Sequence, residues 1–467
     1  MVTVIILFLC LSFGRIVNGF TCESTKTECE TSLVISHYLT MLHPVHRAVY
    51  PYNGKLYKYD VNDTSKATPI PVDEVITADG WESQRLVIVA NNTMPGPPII
   101  LYEGQKITIH VFNHLQSDTV SIHWHGLPQE GTPYMDGVGF VSQCPIQPGS
   151  FFTYQFIARP KGTYWYHSHV GSQRSKGLFG AFIIRSRSEI ADDVEERIMS
   201  IQDWNHDWDS DMDHQKMVYG IYYDRKKHSP SRSLDGSYFS LFRVQSGLIN
   251  GRGRYYDPST GLHNGSPLEV FEVKEGRKYR FRIIATGALY PFRISIDGHN
   301  MSVIESDGYY VEPITADSII INPGERYDVL IHTDKPVANY WIRGQTLESN
   351  RKHIAEAILR YSGAPDNEPV TSQRICKPDD RCLVINCPFT YYPTNEYTDC
   401  LRFDHLKSKS TNDQVPPFIA GKFKEYFLNF AFPGTTFTPG SVNGRKFELP
   451  PVSAISQPRE ISTSLRG

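Results

Sequence analysis

The sequence predicts an all-β protein built of consecutive β-sandwiches or barrels. Three observations carry that expectation. Short runs such as "QKITIHVFNHL", "FFTYQFIARP" and "GLFGAFIIRS" are β-rich, and the first alternates cleanly, placing Ile107, Ile109 and Val111 on one face. Turn-forming clusters such as "MPGPP", "YEGQ" and "QPGS" separate these runs. Aromatic residues that favour strands are abundant, with 27 Tyr and 24 Phe, beside 34 Gly and 31 Pro for the turns.

The 467 residues are enough for two or three domains, and the pattern divides them as follows. Residues 1–19 read as a signal peptide: the apolar run from Val4 to Phe13 is too short to cross a bilayer, and small Gly19 suits a cleavage site. Residues 20–75 read as an irregular extension. A first β-patterned domain spans 76–188, a second spans 195–362, and the charged "RSRSEIADDVEE" marks the boundary. Residues 363–418 read as a polar, cysteine-containing linker. Residues 419–467 hold one strand, "KEYFLNFAF", and then a tail without apolar period. No segment of the mature chain is long and apolar enough for a membrane helix, so a secreted, extracellular protein is expected. The net charge of −3 gives no attraction to nucleic acid or to an anionic membrane.

Secretion makes disulfides the expected state of the cysteines. Without Cys10, the remaining ones are Cys22, Cys29, Cys144, Cys376, Cys382, Cys387 and Cys400, an odd set that leaves one thiol over. The last four can pair among themselves in three ways, and the absence of Cys-x-x-Cys argues against zinc. Sequons at Asn62, Asn91, Asn264 and Asn300 fit the secretory route. The acidic run "DWNHDWDSDMDH" resembles the start of a calcium loop, but His214 and Gly220 stand where glycine and glutamate are required, so it reads as a solvated loop.

Two segments carry the chemistry. "SIHWHG" sets His123 and His125 two apart, and "TYWYHSHVG" does the same with His167 and His169. Residues two apart in a strand share a face, about 6.5–7 Å apart along it. Side by side, such strands would converge four imidazoles, a donor set suited to copper, zinc, iron or nickel. Each pair is too widely spaced to chelate one ion unless the strand bends, and Gly126 and Gly171 lie where it could; separate ions for each histidine also fit. One His-x-His would read as ordinary surface or core histidines. Two in matching aromatic settings read as ligands.

The blocks "HWHGLPQEGTPYMDGVGFVSQCPIQPG" and "GTYWYHSHVGSQRSKGLFGAFII" resemble the first domain of the multicopper oxidases, animal laccase-like members in particular. "LINGRGRY", "RFRIIATG" and "INPGERYDVLI" resemble the second domain, with a weaker echo at "NFAF" and "SVNG". The resemblance implies tandem cupredoxin-like Greek-key β-sandwiches, two complete and a third only rudimentary. It implies copper as cofactor, with His123 on a type 2 ion and His125, His167 and His169 on a type 3 pair. It makes Asp136 the acid that helps to protonate reduced oxygen, and a phenolic substrate or ferrous iron the electron donor to dioxygen. The bland reading of "DG" at that acid is a turn.

The family's remaining ligand blocks, one with His-Pro-x-His-x-His and one with His-Cys-His, are missing: no histidine follows His405 and no cysteine follows Cys400. Half of the trinuclear ligands are therefore present and the type 1 ligands are not. Tyr102 stands where many relatives carry a cysteine able to pair with Cys144. The expectation is a laccase-like oxidoreductase in an incomplete chain, set against a catalytically inactive copper-binding or interaction module of two cupredoxin domains. A zinc hydrolase would need an open metal site with a general base, and no such motif is visible.

Overall fold

The computed structural model describes residues 19–58, 67–188, 194–206, 231–240, 244–349, 354–388, 392–410, 419, 421, 424–431, 441–446 and 448–461. The expected signal peptide (save Gly19), Asn62 and the acidic run from 207 onward lie outside the described residues.

Two β-sandwiches dominate. In the first, a five-stranded sheet runs in the order Phe20–Thr21, Gly96–Tyr102, Phe179–Arg185, Gly162–Ser168, Ile122–His125. It faces a four-stranded sheet ordered Phe151–Ile157, Lys106–Asn113, Glu28–Leu39, Leu86–Ala90. Alternation explains the layering: Ile107, Ile109 and Val111 are fully buried between the sheets, together with Trp124, Tyr154, Tyr166 and Phe182. Each such side chain contributes about 1.5–3 kcal/mol by leaving water. The second sandwich pairs a six-stranded sheet containing Lys278–Ala285 and Arg326–His332 with a seven-stranded sheet containing Phe292–Ile296 and Ser318–Ile321. Its core is aliphatic and aromatic, from Met199 and Phe281 to Val329 and Leu359.

Three expectations need correction. The described residues between 20 and 75 are not irregular. Glu28–Leu39 lies parallel to Lys106–Asn113 inside the first sandwich, and Leu42–His43, Arg47–Tyr52, Lys55–Lys58 and Thr68–Ile70 form a meander with its own core of Met41, Val49, Leu56 and Ile70. Residues 363–418 are not merely a linker either. Cys382–Ile385 and Thr398–Leu401 complete the seven-stranded sheet: Ile385 packs into the sandwich core, and Val384 on the opposite face packs with Ile320, Leu347 and Tyr392. Among the described residues of "KEYFLNFAF", only Phe430–Ala431 is a strand. Tyr426, Phe427 and Leu428 are exposed, with no sheet of the described residues covering them.

Among the described residues the cysteines pair locally as Cys22–Cys29, Cys376–Cys382 and Cys387–Cys400, leaving Cys144 free and exposed. No helix among the described residues is long and apolar enough to cross a membrane.

The sandwiches are joined by a mixed seam. Trp165, Phe179 and Ile183 of the first pack on Ile284 of the second. Beside them the Thr163 amide donates to Glu305 at 2.7 Å, and Arg282 donates to the Thr163 hydroxyl at 2.8 Å. Arg280 and Arg282 both reach Asp328, so the buried guanidinium groups are balanced by buried carboxylates.

Candidate metal centre

The histidines meet because of register. Ile122–His125 pairs antiparallel with Gly162–Ser168 so that His123 lies opposite His167 and His125 opposite Trp165. The odd-numbered residues share the outer face of the sheet, while Ile122 and Trp124 turn into the core. His169 lies just past the strand, held by its amide donating to the Ser121 carbonyl at 3.0 Å. Gly126 and Gly171 take positive φ at the two strand ends, where the sequence suggested bends.

The rings converge. The His123 ring centre lies 5.5 Å from His125, 5.4 Å from His167 and 5.5 Å from His169. One ring nitrogen from each of His123, His125 and His167 lies within 4.8 Å of the others. All four predicted histidines are thus brought together on one face.

Backbone carbonyls orient the rings. His123 Nδ1 donates to the Asp136 carbonyl at 2.8 Å, and His167 Nδ1 donates to the Ser168 carbonyl at 2.8 Å. Each therefore offers Nε2 as a lone pair, the arrangement that ligating histidines adopt. With His167 Nε2 an acceptor, His125 Nδ1 donates to it at 3.3 Å. Asp136 also places Oδ1 3.4 Å from His123 Nδ1. Gly137 permits this approach: with φ +84°, an added Cβ there would stand 1.7 Å from the Ile122 carbonyl oxygen.

The surroundings of His125, His167 and His169 favour the neutral imidazole that metal binding requires. Burial, followed by the Arg326 charge, lowers His125 to about 3. Burial holds His167 well below the usual imidazole range and lowers His169 as well.

Three further residues shape the centre: Trp165 lies in the second histidine motif, on the face of His167 and His169, while Arg326 and Gly324 are not evident from the motifs. The Trp165 ring packs at a tilt against His125, with centres 4.9 Å apart, and against His167, with centres 4.3 Å apart. Arg326 belongs to the second sandwich, yet it donates to the Thr163 carbonyl at 3.1 Å and sets the field at His125. Gly324 leaves room for the His125 ring, 3.2 Å from where a Cβ would be. The only sequence signal for this pair was their place in "INPGERYDVLI", with nothing in it that points to the histidines.

Fold and site together define a tandem β-sandwich protein with a histidine-lined candidate metal centre on an edge strand of the first sandwich. Two family models, both described as multicopper oxidase, match residues 73–189 and 195–364, together more than half of the chain. The chain belongs to the multicopper oxidase family, and membership implies copper. It is 36% identical over 308 residues to "Laccase-2" of Botryotinia fuckeliana, covering 64% of this chain and 49% of that protein. It is 34% identical over 316 residues to the laccase of Trametes maxima, covering 64% and 56%. The chain thus spans about half the length of the laccases it matches. Among solved structures, Fet3p, "a Multicopper Oxidase that Functions in Iron Import", aligns with a TM-score of 0.60 at 22% identity over 91% of this chain and 65% of that one, a likeness of fold. The laccase of Botrytis aclada aligns at 0.57 and 25% identity, over 91% and 64%.

Proposed function

We propose that the chain serves a secreted, laccase-like oxidoreductase in which a phenolic compound or ferrous iron gives up electrons and dioxygen is reduced to water. The observation that carries this reading is the convergence of His123, His125 and His167 in a multicopper oxidase frame. Bound copper would supply one-electron redox chemistry at this face. His123 would hold one ion through Nε2, while His125, His167 and His169 would hold a pair. The Asp136 and Ser168 carbonyls keep the His123 and His167 rings turned so that their Nε2 atoms face the centre. Trp165 packs against the His125 and His167 rings. The Asp136 carboxyl, partly exposed beside His123, can take a proton from solvent and release it toward the centre. The donors named are half of the trinuclear set that the family pattern implies. Relatives named as laccases and the three disulfides, which suit an oxidising compartment, support the reading.

The test is a copper titration followed by absorption and electron paramagnetic resonance. His167→Ala is expected to weaken binding about tenfold or more, since it removes one of the three converging ring nitrogens. Equal affinity and an unchanged spectrum in His167→Ala would refute the site.

A further inference from the structure

Three of the four sequons lie in described residues, and their surroundings differ. Asn264 is half-buried; its Nδ2 donates to the Asp79 carbonyl at 2.9 Å and its Oδ1 accepts from the Ser266 amide at 3.2 Å. A Cβ on Gly80 would stand 3.1 Å from that same Nδ2, so a sugar there meets the chain at Gly80. Asn91 is exposed, but its amide is used at both ends: Oδ1 accepts from the Val34 amide at 2.7 Å, and Nδ2 donates to the Ser32 carbonyl at 3.1 Å. It fastens the strand Glu28–Leu39 to its neighbour. Asn300 is exposed in the turn between Phe292–Ile296 and Met301–Ser306. Its side-chain amide makes no hydrogen bond with any described residue.

Asn300 also lines a cavity of about 330 Å³, together with Arg293, Ser295, Asp297, Asp317, Gln373 and Arg374 among others, and Arg374 there is ion-paired with Asp317 and Asp380. The Arg293 hydrogen bonds go to neutral hydroxyls, Ser318 Oγ at 2.8 Å and Tyr392 at 3.3 Å. Hydroxyl, amide and guanidinium groups beside the Asp297 and Asp317 carboxylates suit a neutral ligand whose groups both donate and accept, such as the hydroxyls and acetamido group of an N-acetylhexosamine. The cavity size lies at the lower end of that of small-molecule sites.

We propose that Asn300 carries an N-linked glycan and that its first N-acetylglucosamine ring is seated in this cavity. In the transfer, Asn300 Nδ2 bonds to the anomeric carbon of a lipid-diphosphate-linked oligosaccharide supplied by the secretory pathway. The carbon–oxygen bond to the diphosphate breaks, the lipid diphosphate leaves, and Nδ2 loses one proton.

The full chain, secreted from a eukaryotic host, is treated in heavy-oxygen water with the amidase that cleaves the asparagine–sugar bond. Peptide mapping is expected to find position 300 converted to labelled aspartate. An unmodified Asn300 peptide overturns the proposal, whichever other sequons are occupied. A second measurement tests the seating. After trimming to a single N-acetylglucosamine, backbone hydrogen exchange at residues 372–374 should be several-fold slower than in Asn300→Gln. Equal rates would reject the seated ring. Ser302→Ala removes the acceptor signal with Asn300 in place, and serves if Asn300→Gln is not secreted.

Discussion

Gly137→Ala is expected to damage both the first sandwich and the metal centre, and the structure separates the two causes. Gly137 has φ +84°, and a side chain in that left-handed region costs about 1–2 kcal/mol by itself. Its Cβ would also lie 1.7 Å from the Ile122 oxygen, 2.4 Å from the Ile122 carbonyl carbon and 2.9 Å from His123 Cα. All three are backbone atoms of the strand that carries the site, so the overlap is relieved only if the loop lifts off. Overpacking of this kind adds about 1–3 kcal/mol. Gly149 is the control: φ is +72° but nothing lies within 4 Å, so Gly149→Ala incurs the backbone strain alone. Urea unfolding read by tryptophan fluorescence should therefore place Gly137→Ala well below Gly149→Ala. Buried Trp124 and Trp165 report on this sandwich. Lifting the loop also removes the Asp136 carbonyl, 2.8 Å from His123 Nδ1, and loss of such an orienting acceptor lowers metal affinity about 10–100-fold. If the two variants share one urea midpoint and one copper affinity, the argument that this glycine seats the loop is wrong.

Glu305 is raised from 4.5 to about 7, by burial and then by the Asp328 charge; Arg280, 2.7 Å away, is shared with that aspartate. The folded state then keeps a proton that the unfolded chain sheds near pH 4.5, so this group's stabilisation is full below that pH and is lost as pH rises through about 7. Subtracting the urea stability profile of Glu305→Gln from that of the parent should show this decline, and a flat difference between pH 5 and 7 would count against it. Thiol counting by mass spectrometry under non-reducing conditions should find one free thiol in the chain from residue 20 onward, at Cys144; a second thiol, or Cys144 in a disulfide, would contradict the local pairing. Residues 20–467 loaded with copper should show no intense blue thiolate–copper absorption, because six of the seven cysteines there are in disulfides and the last is exposed. An intense blue band that disappears in Cys144→Ser would overturn that expectation.

The sequence by itself determined which residues share a face. Period-two alternation placed Ile107, Ile109 and Val111 in the core, and the same rule put His123 with His125, and His167 with His169, because strand geometry is set by neighbours a residue or two away. It also pointed to pairing of the last four cysteines among themselves, with the choice among three ways left open. Tertiary structure alone decided the rest, for the opposite reason: those contacts join segments far apart in the chain. The strand Glu28–Leu39 was missed because polar Thr and Glu blur its alternation, and its inward face makes sense only beside Lys106–Asn113. The cysteine-rich segment proved to be sheet because the edge at Ser318–Ile321 was open to receive it. Register, which sets His123 opposite His167, and the seam, which brings Arg326 and Gly324 against His125, depend on how two sandwiches pack, and no window of sequence contains both sides of that contact.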